Sequence, residues 1–163
     1  MNVRETTADD AEAVQRVARA SWHAAYDEIL GEGTVTDKVD SWFNLENVTA
    51  DVNREERPFF VATTEGRVVG FAIGAPDDDR DATYHLYRIY VQPNDWGRGV
   101  GTKLLERLEA ELQSRGVERL RLSVFQENED AIGFYESSGF ERVEEGGAGN
   151  FDLPRLTYAK DLG

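Results

Sequence analysis

Residues 91–112 read VQPNDWGRGVGTKLLERLEAEL and join a strand-like run to a helix-like one through three alternating glycines, Gly97, Gly99 and Gly101. Beyond the turn, Leu104, Leu105, Leu108 and Leu112 recur at helical spacing and Gly116 supplies a stop. Before it, YHLYRIYVQP (84–93) reads as a strand ended by Pro93. A helix start carries unpaired backbone N–H groups and a partial positive charge, which makes it an anion site. Glycines there let the amides face a phosphate without Cβ atoms in the way, and Arg98 adds a guanidinium. The plain alternative is a turn whose glycines serve backbone geometry alone. Spacing excludes two phosphate motifs. The dinucleotide fingerprint needs a glycine where Thr102 stands, and a P-loop needs glycine directly before Lys103.

Outward from this turn the chain is legible as alternating elements. NVRETT is a short strand, and ADDAEAVQRVARASWHAAY places Ala13, Val14, Val17, Ala18 and Trp22 on one helical stripe with acids at its start. ILGEGTV breaks that helix, and TDKVDSWFNLENV is a second, weaker one with Val39, Trp42, Phe43 and Leu45 as its apolar positions. RPFFVATTEGRVVGFAIGAP reads as a hairpin around Glu65-Gly66, and DDDRDAT as a solvated loop. ERLRLSVF alternates as a half-buried strand, NEDAIGFYESSGF is a short helix, and FERV and LPRLTYAKDL are closing strands. The order β-α-α-β-β-β-α-β-α-β-β, with adjacent strands joined by tight turns, predicts one α+β domain over residues 1–163. Its sheet is mixed and mostly antiparallel, flanked by helices.

Composition sets the outer bounds. The 163 residues suffice for one domain with a sizeable core. Net charge is −14, from 32 acidic and 18 basic residues, so a general basic surface for nucleic acid or anionic membrane is disfavoured. The acids are spread along the whole chain, as expected of an acidic, halophilic proteome working in a salty cytoplasm; an ordinary acidic protein is the other reading. There is no cysteine, hence no disulfide and no thiolate nucleophile. No apolar run approaches the roughly 20 residues of a membrane span, and MNVRETTADD is unlike a signal peptide, so a cytoplasmic location is expected.

Two motifs in order, YRIYVQPNDWGRGVGTKLL and then NEDAIGFYESSGF, resemble the GNAT superfamily of acyl-CoA-dependent N-acetyltransferases. The likeness is strongest from Tyr87 to Phe140, and SWHAAYDEIL is similar to the family's first helix. Carried over by position, it implies that Ile89, Tyr90 and Val91 offer main-chain groups to the pantetheine arm of acetyl-CoA. Gly97, Arg98, Gly99, Val100, Gly101 and Thr102 would hold the pyrophosphate, Asn128 would hydrogen-bond the arm, and Tyr135 would face the sulfur. Trp96 departs from the family's usual Gln or Arg, so the resemblance does not carry over that phosphate-side contact, and Arg98 is the candidate to compensate.

Acetyl transfer needs a neutral amine, a polarised carbonyl and a protonated leaving thiolate. Tyr135 fits the general acid, two turns along a helix from Asn128; a core aromatic is its plain reading, as a simple N-cap is that of Asn128. Relatives carry a base on the strand before the glycine turn, and His85 stands there, with no carboxylate between Thr83 and Gln92. His23 on the first helix is equally available, and Ser123, at the family's other base position, cannot serve. Trp22, Tyr26 and Trp42 are candidates for the acceptor wall, with core packing as the alternative. No metal-ligand spacing is present.

The implied activity is direct acetyl transfer from acetyl-CoA to a primary amine, of a small metabolite or of a protein, in a ternary complex without a metal. The acidic composition tilts the expected acceptor toward a cation. The rivals are an acyl-CoA-binding regulatory domain without turnover and a generic phosphate binder. Oligomeric state is open, with a homodimer through the edge of a closing strand as one option. If the acidity is a high-salt adaptation, melting temperature rises with potassium chloride up to molar concentration, as screening removes carboxylate repulsion. A flat or falling melting temperature returns the composition to the ordinary reading.

Overall fold

The computed structural model describes the backbone of residues 1–148 and 154–163 and the side chains of 1–143 and 154–163. Elements run β1 (Asn2–Glu5), α1 (Ala11–Leu30), α2 (Glu32–Trp42), α3 (Leu45–Val52), β2 (Phe59–Thr64), β3 (Arg67–Pro76) and β4 (Thr83–Val91). They continue with α4 (Val100–Ser114), β5 (Arg119–Phe125), α5 (Glu129–Ser137), β6 (Glu141–Ala148) and β7 (Pro154–Asp161). The seven strands form one sheet in the order β1-β2-β3-β4-β5-β7-β6. Neighbours are antiparallel except for β4 and β5. This is the expected α+β architecture. Leu153, placed in the last strand by sequence, lies outside the described residues.

The sheet is covered on both faces, so there are two cores. On one face Leu104, Leu105, Leu108 and Leu112 of α4 bury against Phe60, Leu86, Leu120 and Leu122. On the other, Val14, Val17, Ala18 and Trp22 of α1 pack with Val35, Val39, Phe43, Phe71 and Phe125. The hairpin turn is as read: Glu65 and Gly66 both take positive φ, 53° and 77°, which suits a two-residue connection between twisted strands.

The second helix is two helices. Gly31 at φ 89° ends α1 and α2 starts at the next residue. Phe43, 2% exposed, closes α2, and Asn44 caps a new helix by accepting the Asn47 N–H at 2.8 Å. The new axis turns Leu45 outward, to 41% exposure, where periodicity alone expected it inside. A good N-cap side chain restarted the helix in a direction the apolar spacing does not encode.

Two features of β4 shape everything that follows. Its parallel pairing with β5 covers only Thr83, Tyr84 and His85, opposite Arg119, Leu120 and Arg121. Beyond His85 the two strands part. Its antiparallel register with β3 shifts, pairing Ile73 with Arg88 but Gly74 with Leu86, so Tyr87 is an extra residue. Such a bulge re-aims the side chains after it. Leu86 and Ile89 pack toward α4 while Tyr90 packs toward α1. By alternation His85 and Arg88, three apart, both face α1.

Gly70 on β3, paired with Val91, admits α4. A Cβ there would lie 3.0 Å from Leu104 Cδ1, 3.1 Å from the Tyr90 carbonyl oxygen and 3.1 Å from Val100 Cγ1. Because the Tyr90 carbonyl is backbone of the paired strand, a side chain here must crowd it and displace the Leu104 and Val100 side chains of α4. Gly70→Val is expected to destabilise the fold by about 1–3 kcal/mol in urea denaturation, the cost of overpacking. An unchanged midpoint would show that α4 yields freely.

Candidate active site

Where β4 and β5 part, a cleft of about 1100 Å³ opens, reaching from the glycine turn to the aromatic face of α1. Among the described residues, no strand pairs with Leu86–Val91 on the β5 side. Buried backbone N–H and C=O groups are strong and rarely left unpaired, so this edge suits a ligand with amide groups of its own.

At the mouth, Gly99 is the N-cap of α4 at φ 81° and Gly97 sits at φ 77°. A Cβ on either would meet nothing within 4 Å. The left-handed backbone demands glycine there, and the space beside it stays open. The first-turn amides of α4, those of Val100, Gly101 and Thr102, face a site with the positive end of a helix behind it. Gly101 is glycine for another reason: a Cβ would stand 3.2 Å from Phe134 Cζ. It seats α4 against α5. Arg98 is absent from the cleft wall; its side chain is 70% exposed and pairs with Asp95 at 3.6 Å. Trp96 donates its indole N–H to the Val91 carbonyl at 2.7 Å. That carbonyl is therefore engaged by the chain itself, while Ile89, Tyr90 and Val91 all line the wall.

Asn128 serves twice. Its side-chain oxygen caps α5 by accepting the Ala131 N–H at 3.2 Å, and its Nδ2 donates to the Tyr26 hydroxyl at 2.9 Å. One amide hydrogen is left over. Tyr26 in turn packs against Trp22 at a tilt of 41°, with centroids 4.6 Å apart, and Trp22 meets Trp42 edge-on at 5.5 Å. Trp22 and Tyr26 are only 5% and 7% exposed, so the two readings merge: they are core residues whose outer edge walls the cleft.

Tyr135 lines the cleft beside Phe134 and Phe140, at centroid distances of 5.5 and 5.9 Å. Burial pushes its hydroxyl well above the ordinary phenol range, with neighbouring Tyr90 and Tyr26 adding to the effect. It stays protonated, the state a proton donor needs. Burial likewise raises Tyr90 and Tyr26.

The two histidines separate. His23 has both ring nitrogens engaged, Nδ1 with Asp27 at 2.7 Å and Nε2 with Thr36 Oγ1 at 3.3 Å, and it is not part of the cleft wall. His85 lines the cleft, with Nε2 2.8 Å from Asp77 Oδ2. The carboxylate missing from β4 thus comes from the loop before it. Asp77, its side chain 4% exposed, also accepts the Asp79 and Arg80 N–H groups at 2.8 and 3.0 Å and Arg80 Nη1 at 3.3 Å. The Asp79 amide, with His85 and Arg80, holds it down at about 2. A carboxylate accepts from Nε2–H of the neutral ring, which fixes the tautomer and frees Nδ1 to take a proton. The sequence alone places Asp77 in a solvated run. The available signal was an Asp at a strand end two residues before the amide it accepts, the pattern of an Asx turn.

Known proteins resemble the whole chain. The profile of the acetyltransferase (GNAT) family matches residues 16–140. The PaiA N-acetyltransferase of Thermoplasma acidophilum, solved in complex with coenzyme A, superposes with a TM-score of 0.87 at 21% identity, covering 98% of each chain. A ribosomal-protein-alanine N-acetyltransferase from Brucella melitensis gives 0.75 at 27% identity over 99% of each chain. An aminoglycoside 6'-N-acetyltransferase complexed with coenzyme A gives 0.71 at 20% identity, over 100% of this chain and 98% of that one. Among the described residues no group of His, Asp and Glu side chains is arranged to hold a metal ion, and no helix is long and apolar enough to cross a membrane.

The buried carboxylate has a pH signature. Asp77 titrates near 2 in the fold against about 3.9 in an unfolded chain. Its contribution to stability is therefore complete above about pH 5 and is lost as pH falls toward about 2. The stability gap between the native protein and Asp77→Asn, measured by urea denaturation, is expected to be widest near neutrality and to close with acid. A gap independent of pH would contradict this.

Proposed function

The chain belongs to the acetyltransferase (GNAT) family, and from that premise we propose that it transfers the acetyl group of acetyl-CoA directly to a primary amine. The observation that carries this is the juxtaposition in one cleft of an anion-binding helix start, an unpaired strand edge, a protonated Tyr135 and a carboxylate-oriented His85. The residues present fit the donor: open space beside Gly97 and Gly99 admits phosphates, and the free edge of β4 admits an amide-bearing arm. When bound, acetyl-CoA supplies the activated acetyl group. No thiol is available for an acetyl-enzyme, since the chain has no cysteine, so the amine attacks the thioester carbonyl itself.

The roles follow from position. Nδ1 of His85 takes the proton of the acceptor's ammonium and frees the nitrogen lone pair, while Asp77 holds the ring and offsets the charge it gains. The new C–N bond forms as the C–S bond breaks, the Tyr135 hydroxyl gives its proton to the departing sulfur, and the nitrogen loses its second proton to water as the amide forms. Bulk water returns that proton to Tyr135 and accepts the one on His85. Trp22, Tyr26 and Trp42 exclude water from the acceptor side.

Thiol release from acetyl-CoA across an amine panel tests the reading; release with an amine present and none without is the expected result. Tyr135→Phe is expected to lower turnover roughly a hundredfold or more while leaving acetyl-CoA affinity nearly intact. Full turnover in that variant, with chemistry rate-limiting, would make Tyr135 a packing residue. Binding of acetyl-CoA with no thiol release for any amine would instead support a binding domain.

A further inference from the structure

The half of the cleft that faces α1 carries two arginines that no carboxylate among the described residues pairs with. Arg88 and Arg155 both line it. The bulge at Tyr87 turns Arg88 to that side, where its guanidinium lies 4.3 Å from the centroid of Phe43 and 4.6 Å from that of Tyr87. Arg155 on β7 is in register with Phe125 on β5, and its guanidinium lies 4.7 Å from the centroid of that ring. Stacking on an aromatic face fixes the plane of a guanidinium and leaves its N–H edge for an in-plane acceptor. Both lie on the same wall as Tyr90, whose hydroxyl each pulls down against the burial that raises it. Arg155 does the same to Tyr26.

In this chain arginines readily find acids: Arg4, Arg19, Arg57, Arg107, Arg115 and Arg119 all form ion pairs. Arg88 donates to the Tyr87 hydroxyl at 3.3 Å, but neither it nor Arg155 has a carboxylate within ion-pair distance among the described residues. Among the described residues, the carboxylates that line the cleft are those of Asp95 and Asp130. Asp95 belongs to the glycine turn and pairs with Arg98; Asp130 lies in the first turn of α5. Neither lies within ion-pair distance of Arg88 or Arg155. Asp77 is committed behind His85.

Given the transferase reading above, we propose that the acceptor is a small amine bearing a carboxylate, an amino-acid-type molecule, with its carboxylate held by Arg88 and Arg155 and its amine facing His85. A polyamine would bring more positive charge to a wall that already has two. The net charge of −14 points the other way, but it acts at long range and is screened beyond about 8–10 Å. The two arginines act in contact.

The test measures thiol release from acetyl-CoA with amino acids, their α-amides and spermidine. Each amide matches its amino acid in shape and lacks the carboxylate. The best amino acid is expected to exceed its amide by at least roughly tenfold in kcat/KM, the scale of one charge-assisted hydrogen bond. Arg155→Gln and Arg88→Gln each erase most of that ratio, Arg155→Lys restores part of it, and Arg155→Glu shifts preference toward spermidine. Unchanged CoA affinity by calorimetry certifies that each variant is folded. A native protein preferring the amide or spermidine, or folded arginine variants keeping the native ratio, would overturn the inference. Absence of thiol release with every amine would sink the transfer reading alone. The carboxylate site is then decided by NMR titration of the CoA-bound protein with L-alanine and L-alaninamide, where equal binding overturns it.

Discussion

The parting of β4 from β5 after three residue pairs is the constraint on which the rest of the molecule depends. A parallel pair inside a sheet normally continues, because each further residue satisfies backbone groups at no cost in solvation. Here pairing stops at His85, and the remaining edge of β4 opens on a cleft. The fold supports the gap from all sides. Gly70 lets the first turn of α4 press against β3 and β4; Gly101 seats α5 on α4; and the Trp22, Phe43, Phe71 and Tyr90 rings brace the other face. Each contact uses core packing to hold open a space that core packing would otherwise close.

Much of the fold was legible because its signals are local. The leucine stripe of α4, the Glu65-Gly66 turn and the alternation of β5 each specify their element within a few residues. The split of the second helix was not legible from apolar spacing, because the cap at Asn44 redirects the chain without breaking periodicity in composition. The glycine turn was legible as a site, though for mixed reasons: Gly97 and Gly99 answer to backbone conformation, Gly101 to Phe134. What could not be read were the long-range partners. Asn128 and Tyr26 are 102 positions apart, and no local pattern announces their hydrogen bond. Asp77 lies in a run of acids whose other members are exposed, and only the turn geometry singles it out.

The Asn128–Tyr26 bond has a consequence for how the two halves of the cleft relate. Asn128 starts α5, the helix that carries Tyr135, while Tyr26 belongs to α1, which walls the opposite half. One side chain therefore ties the helix of the candidate general acid to the wall of the acceptor side. The bond joins the buried Tyr26 to the half-buried Asn128 side chain, where a hydrogen bond is less replaceable by water than at the surface.

Charge is organised on two scales. Over the whole surface acids outnumber bases, and that excess governs solubility and long-range approach. Within the cleft, among the described residues, a helix start and two stacked guanidiniums stand with two lining carboxylates, Asp95 and Asp130, of which Asp95 pairs with Arg98, while Asp77 is held behind His85 by two backbone amides. The positive groups are coherent with the chemistry of the donor, whose phosphates need positive ends, and they reach past the donor into the acceptor half. A protein that excludes anions at a distance but receives them in contact discriminates by fit and not by attraction. Its acceptor pocket is then read from the orientation of Arg88 and Arg155, each held in plane by an aromatic ring on its own wall, and not from the composition of the chain.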